Sequence, residues 1–180
     1  MTRTNRRTAL VVVAAEADPV VRDWRLRYQR ATVERGLPPH LTILFPFFPA
    51  TQVDRGLLAQ LGRLYAPFRP FVYQLASVEY FPDAAWLAPV PAAPFHELVE
   101  GTRETFPDFP PYGDPKHVVV PHCTVGTDDD PKRVVAMVQE LREGLGPRLP
   151  IRCRADEVVL LAEEADGTWG RRHGFPLADG

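Results

Sequence analysis

Two tripeptides of the form His-x-Thr stand in this chain, His40-Leu41-Thr42 and His122-Cys123-Thr124. Each follows a proline, Pro39 or Pro121, and each continues into a β-type run, Ile43-Leu44-Phe45 or Val125. With five histidines in the chain, chance gives about 0.3 such tripeptides, and two in about one chain in thirty, so the tripeptide alone is a weak signal. The matched setting makes it a strong one. On a strand, residues i and i+2 share a face. His40 and Thr42 therefore point one way and Leu41 the other. His122 and Thr124 likewise share a face, with Cys123 opposite, which makes Cys123 a packing residue and not a nucleophile. Two such strands facing one cleft supply two imidazoles and two hydroxyls.

That set suits attack on a phosphodiester. Threonine hydroxyls can donate to the non-bridging oxygens and hold the anion. One neutral imidazole can take a proton from an attacking water or ribose hydroxyl, and the other, protonated, can give one to the leaving oxygen. Histidine serves in both roles because its unperturbed pKa lies close to neutral pH. Each proton transfer is typically worth about 10²- to 10⁴-fold in rate. Hydroxyls and an imidazolium meet the developing charge, so the chemistry calls for no metal and no cofactor. The competing reading of either motif alone is a strand histidine that caps a backbone group beside an ordinary threonine.

The elements that must carry these residues follow from hydrophobic period and turn chemistry. Residues 9–15 read as a buried first strand. Asp18-Pro19 reads as N-cap and first helical residue, with Val20, Trp24, Tyr28 and Ala31 on one stripe and an end near Gly36. Pro38-Pro39 stops the helix and delivers extended chain into 40–45. A second helix is predicted over about 53–65, then strands at 71–81 and 85–90 joined at Pro82-Asp83. Pro94 opens a helix with Phe95, Leu98 and Val99 on one face. Residues 106–115 form a proline-rich loop, and 117–126 the second motif strand. Asp130-Pro131 caps a helix with Val134, Val138, Leu141 and Leu145 inward. Residues 151–163 and 169–177 read as a closing hairpin around Asp166-Gly167.

Each half thus runs strand, proline-opened helix, proline-rich connector, Pro-His-x-Thr strand and a further amphipathic helix. Val11 precedes His40 by 29 positions and Leu87 precedes His122 by 35. An internal duplication accounts for this order. It gives one domain over 1–180 with pseudo-twofold lobes at about 1–80 and 81–180, and sets the motif strands side by side where the lobes meet.

Composition narrows the partners. An apolar fraction of 45% allows a full core. A formal charge of −2 argues against a surface that grips long nucleic acid by charge alone. Cys123 and Cys153 read as two buried thiols in a reducing compartment, and no metal-ligand spacing of Cys or His occurs. The basic segment 2–8 ahead of the apolar run 9–15 loosely resembles a signal peptide. That run meets Glu16 and Asp18 at once, so a buried strand explains it better. No stretch approaches transmembrane length, and the expectation is a soluble, cytoplasmic monomer.

At the motif residues the chain resembles the 2H phosphoesterase superfamily, which includes the 2',5' RNA ligase-like proteins and cyclic phosphodiesterases. The family hallmark is two His-x-[Thr/Ser]-x motifs with hydrophobic flanks, met here by His40-Leu41-Thr42-Ile43 and His122-Cys123-Thr124-Val125. The resemblance implies an α+β, bilobal fold with antiparallel sheets lining a central cleft and helices outside. It also implies metal-independent action on 2',3'-cyclic phosphates, related cyclic nucleotides or 2',5'-linked oligonucleotides, as small nucleotide or RNA-terminus substrates. By the same resemblance His40 and His122 are the acid–base pair, and Thr42 and Thr124 bind the phosphate. The motifs fix neither the substrate nor which histidine is acid and which is base.

Other residues carry weaker signals. Phe45, Phe47 and Phe48 could stack a nucleobase, though core packing of Phe45 and Phe47, with Phe48 exposed, is favoured because Phe45 shares parity with Leu41 and Ile43. Lys116, Arg171 and Arg172 could reach a phosphate but read as isolated surface charges. Strand alternation puts His117 on the face opposite His122, His96 lies on a polar helix side, and His173 sits in the final hairpin. Tyr80 and Trp86 read as core or rim residues. Three functions remain open: a 2H phosphoesterase, with 2',5' ligation as a variant; a nucleotide- or RNA-binding module without turnover; and a scaffold with coincidental motifs.

Overall fold

The computed structural model describes residues 6–178, so most of the basic 2–8 segment lies outside the described residues. One eight-stranded sheet carries the fold. Its strands are β1 (Thr8–Val13), β2 (His40–Leu44), β3 (Phe71–Phe81), β4 (Ala84–Val90), β5 (Cys123–Thr127), β6 (Ile151–Ala155), β7 (Glu157–Glu163) and β8 (Trp169–Pro176). They lie in the order β6-β3-β4-β5-β2-β1-β7-β8, and every neighbouring pair is antiparallel. The two motif strands, β2 and β5, are the central pair.

The sheet has pseudo-twofold order about that pair. On one side β2 is followed outward by β1, β7 and β8; on the other β5 is followed by β4, β3 and β6. Helices α1 (Asp18–Tyr28) and α2 (Arg30–Glu34) join β1 to β2, and α4 (Ala93–Thr105) joins β4 to β5. The chain crosses the midline after β2 and again between β6 and β7. The helix α3 (Arg55–Tyr65) leads from β2 to β3 on the far side, and α5 (Pro131–Leu145) leads from β5 towards β6 and β7. The sheet's midline therefore does not coincide with a chain boundary near residue 80.

The run 151–163, read from sequence as one strand, is two. β6 pairs with β3 at one edge of the sheet and β7 pairs with β1 near the other, with only Asp156 between them. A one-residue link between distant positions requires the sheet to curl until the end of β6 reaches the start of β7. The burial patterns record the change: β6 alternates, buried at Ile151, Cys153 and Ala155, whereas β7 is buried continuously from Val158 to Ala162. A strand covered on both faces loses its alternation.

Helices cover one face only. Leu10, Val12, Leu41, Ile43, Cys123 and Val125 point to that side and pack with Val21, Leu61, Leu98 and Leu141 of the helices in one core. Leu41 and Cys123 are fully buried, and burying a side chain the size of leucine contributes about 1.5–3 kcal/mol. Two helices are capped by a side chain: Asp54 accepts from Leu57 N–H at α3 and Asp130 from Lys132 N–H at α5. Asp18, expected to cap α1, is its first residue and pairs with Arg22 at 3.2 Å. The helix expected to run on to Gly36 breaks at Gln29, whose φ/ψ of −148°/46° is not helical.

Candidate active site

In the antiparallel β2–β5 ladder Leu41 lies opposite Cys123. That register sets His40 across from Thr124 and Thr42 across from His122. The local twofold passes through the Leu41–Cys123 pair, and each imidazole faces a hydroxyl of the other motif. All four side chains are half-buried on the face the helices leave open, while Leu41 and Cys123 are sealed beneath. Burial pushes the Cys123 thiol up to about 12, which keeps it protonated and packed.

Both imidazoles are anchored alike. His40 Nδ1 donates to the Pro38 carbonyl at 2.7 Å and His122 Nδ1 to the Val120 carbonyl at 2.7 Å. A carbonyl can only accept, so Nδ1 carries the proton and Nε2 is the atom that titrates. The residue two places before each histidine thus fixes both ring orientation and tautomer.

Burial lowers the pKa of both rings. His40 falls to about 4: burial dominates, the Pro38 carbonyl opposes it, and the charges of Arg25 and His122 lower it further. His122 is lowered by burial and by His117, but the Val120 carbonyl and Asp83 pull it back up. The two environments therefore differ. His40 has a cation behind it, and His122 has a carboxylate nearby.

Two residues of the first helical segment brace the motifs from the core side. Arg25, only 2% exposed, donates from Nη2 to the Leu37 carbonyl at 2.8 Å, one residue before the carbonyl that holds His40. Gln29, at the helix break, donates from Nε2 to the Thr124 carbonyl at 3.0 Å. An unbroken helix would carry the Gln29 backbone past this point. Gly126 lets the helix come this close, since a Cβ there would lie 2.7 Å from Tyr28 Cβ.

The open face holds one cavity on each side of the motif pair. One, of about 250 Å³, is lined by His40, Thr42, Phe45 and Trp169 with Arg7 and Arg35. The other, of about 410 Å³, is lined by His122, Phe81, Asp83, Tyr112, His117 and apolar residues of 118–120. A larger hollow of about 470 Å³ lies beyond Trp169. It holds none of the motif side chains, and its Arg154 and Arg171 are already paired with Asp156 and Glu157.

Several sequence expectations are corrected at this face. Phe45 is on the open side, not the core side. The β1–β2 register jumps from Leu10↔Leu44 to Val11↔Thr42, so Ile43 is an extra residue and Ile43 and Leu44 are both buried in the helix-side core. The bulge reverses parity and turns Phe45 out against Trp169 and Val11. Phe47 is buried as expected, and Phe48 packs on it with Phe106 and Phe109 instead of standing exposed. Residues 117–122 form no strand, so alternation does not apply, and His117 lines the same cavity as His122. Trp86 lies opposite Thr124 on the open face, its ring 5.8 Å from that of His122.

The remaining candidates stay at the surface. Lys116 and His96 are exposed, and Tyr80 is 51% exposed. Arg171 and Arg172 are held by Glu157 and Glu164. His173 stacks on Phe175, a residue of the helix-side core, and so points away from the site.

Tyr112 was invisible in sequence. Its backbone is left-handed, φ +53°, a conformation a bulky side chain adopts only when neighbours enforce it. Its N–H donates to the Phe45 carbonyl at 2.6 Å, its hydroxyl lies near Thr42, and its ring meets His117 at 4.8 Å. A proline-rich loop shows no periodicity from which this could be read. Among the described residues no group of three or more His, Cys, Asp or Glu is placed to hold a metal ion, and no helix is long and apolar enough to cross a membrane.

Comparison with known proteins agrees with this geometry. The profile of the 2'-5' RNA ligase superfamily matches residues 12–167. No curated protein sequence matches the chain. Among solved structures, TT0787 of Thermus thermophilus superposes with a TM-score of 0.65 at 19% identity, covering 97% of this chain and 100% of that one. LigT of E. coli complexed with 3'-AMP gives a TM-score of 0.63 at 16% identity, covering 96% and 98%. A structure described as a phosphoesterase gives 0.60 at 18% identity, covering 97% and 99%. At these identities the likeness is one of fold.

Proposed function

The chain belongs to the 2'-5' RNA ligase superfamily, with 2H phosphoesterases as its structural neighbours, and on that footing we propose that it is a metal-independent phosphoesterase. Its substrates are 2',3'-cyclic phosphates or 2',5' linkages of small nucleotides or RNA ends. The observation that carries this reading is the central β2–β5 register together with the matched Nδ1 anchors. It leaves two titrating Nε2 atoms and two hydroxyls on one open face. LigT has been crystallised with phosphate, 3'-AMP, ATP and NADP+, which supports a phosphate-bearing nucleotide here.

The differing environments support one assignment of roles. His40, held neutral by burial and the Arg25 charge, is the general base. Its Nε2 takes a proton from water as the water oxygen bonds phosphorus. One ribose oxygen–phosphorus bond breaks, and protonated His122, favoured by Asp83, gives its Nε2 proton to that oxygen. Thr42 and Thr124 donate to the non-bridging oxygens, where charge builds in the transition state. With a 5'-hydroxyl in place of water the same proton transfers join two RNA ends through a 2',5' linkage.

The test is turnover of a 2',3'-cyclic nucleotide in EDTA by the wild type, His40→Ala and His122→Ala. Each variant is expected to lose at least about 10²-fold in kcat/KM. Undiminished turnover in either variant contradicts the mechanism. Tight nucleotide binding by a wild type that turns over no cyclic or 2',5'-linked substrate makes the protein a binding module instead.

A further inference from the structure

The two cavities flanking the motifs differ in charge, and the difference is built by one half-buried carboxylate shared between two guanidiniums. Arg7 Nε lies 3.0 Å from Glu163 Oε2, and Arg35 Nη2 lies 2.6 Å from Glu163 Oε1. The Glu163 side chain is 14% exposed, while those of Arg7 and Arg35 are 47% and 43% exposed. The carboxylate is therefore tucked beneath, and the two cations keep open faces at the cavity that also holds His40 and Thr42. Arg35 is fixed further by donating from Nε to the Gly167 carbonyl at 2.8 Å. The Arg7 guanidinium sits 5.8 Å from the Phe45 ring and 5.7 Å from the Trp169 ring, so its position is set by two aromatic faces. Two positive charges against one negative leave this side cationic. The cavity beside His122 has Asp83 as its charged residue and is otherwise aromatic and aliphatic.

We propose that Arg7 and Arg35 form a subsite for a second phosphate of the substrate, so that the site reads a nucleotide carrying one phosphoryl group at the motifs and another on the His40 side. This rests on the phosphoesterase reading above and adds a direction to it. The scissile phosphate lies between the motifs. The second phosphate lies towards Arg7 and Arg35, the ribose that joins the two phosphates lies over the motifs, and the base is directed to the apolar cavity beside His122. A planar guanidinium suits a phosphate because it can donate two parallel hydrogen bonds. The preferred substrates are then 5'-phosphorylated cyclic nucleotides or oligonucleotide ends, where a phosphodiester occupies the same place.

The experiment compares two ligand pairs. For turnover the pair is a 2',3'-cyclic nucleotide with a 5'-hydroxyl and the same nucleotide with a 5'-phosphate. For equilibrium binding, which needs no chemistry, it is a nucleoside 3'-phosphate and the 3',5'-bisphosphate, measured by calorimetry at low salt. The wild type is expected to favour the doubly phosphorylated member of each pair by about 10- to 100-fold. Arg7→Gln with Arg35→Gln should abolish that preference while leaving the singly phosphorylated ligands nearly unchanged. Glu163→Gln should increase it, because it frees both guanidiniums, and a gain in affinity cannot come from a misfolded protein. Equal values for both members in the wild type, or a preference that survives the double substitution, overturn the subsite. If no cyclic nucleotide is turned over, the phosphoesterase reading fails, while the binding pair still decides whether the subsite exists.

Discussion

Gly126→Ala tests how the fold aligns the second motif. Gly126 lies two residues after Thr124, where α1 packs on β5. An added methyl carbon would lie 2.7 Å from Tyr28 Cβ and closer still to Met137 Sδ. Carbon atoms pack at about 3.5–4.0 Å. The methionine is flexible and can swing aside, but Tyr28 Cβ is fixed to the helix, so α1 must retreat by about 1 Å. Overpacking of this kind costs about 1–3 kcal/mol, and in a chain of this length each kcal/mol lowers Tm by about 2–4 °C. The expected loss is about 2–12 °C. The same retreat pulls Gln29 from the Thr124 carbonyl, a bond of 3.0 Å. A displacement of about 1 Å in a catalytic group can cost about 10²-fold in rate. Calorimetric melting and kcat/KM on a 2',3'-cyclic nucleotide read the two effects separately. Gly62→Ala is the control with the opposite sign: nothing lies within 4 Å of the new carbon, and alanine in place of glycine inside a helix is worth about 0.5–1 kcal/mol. If Gly126→Ala leaves both Tm and kcat/KM unchanged, the close approach of α1 does not position the motif.

Other outcomes follow from the same geometry. With His40 at about 4 and His122 also below its ordinary value, kcat/KM should peak on the acid side of neutrality. It falls below about pH 4 as His40 protonates, and at higher pH as His122 loses its proton; a profile that keeps rising past pH 8 contradicts the role assignment. Because both rings bind protons more weakly folded than unfolded, stability holds above the unfolded pKa of about 6.5. It falls as pH drops towards 4, by up to about 1.4 kcal/mol per pH unit for His40, and melts between pH 7 and 4.5 measure it. Cys123→Ala should keep kcat/KM within about three-fold, since a buried thiol whose pKa is raised is inert, and native protein should resist thiol reagents that label it once unfolded. Tyr112→Phe, which removes the hydroxyl near Thr42 at the cavity beside His122, should raise KM several-fold with little change in Tm.

The shared face of the four motif residues was legible in the sequence because strand alternation needs only local pattern, and His40, Thr42, His122 and Thr124 do share the open face. The repeated element order matches the pseudo-twofold order of the sheet about β2 and β5. What escaped was set by non-local events. The crossings of the midline, after β2 and at Asp156, depend on pairing partners that a run such as 151–163 does not specify. One inserted residue at Ile43 reversed the side on which Phe45 lies. Arg7, Arg35 and Trp169 come from separate segments and meet only when β7 joins β1. Tyr112 depends on a backbone conformation that its residue type disfavours.

The central claim is that the two motifs form one phosphate site through the antiparallel pairing of β2 and β5. A crystal structure of the wild type with orthovanadate and a nucleoside tests it most directly. The account predicts one vanadate on the local twofold, with His40 Nε2 and His122 Nε2 on opposite oxygens and the Thr42 and Thr124 hydroxyls on the equatorial ones. A vanadate bound by only one imidazole, or seated away from the Leu41–Cys123 midline, contradicts it.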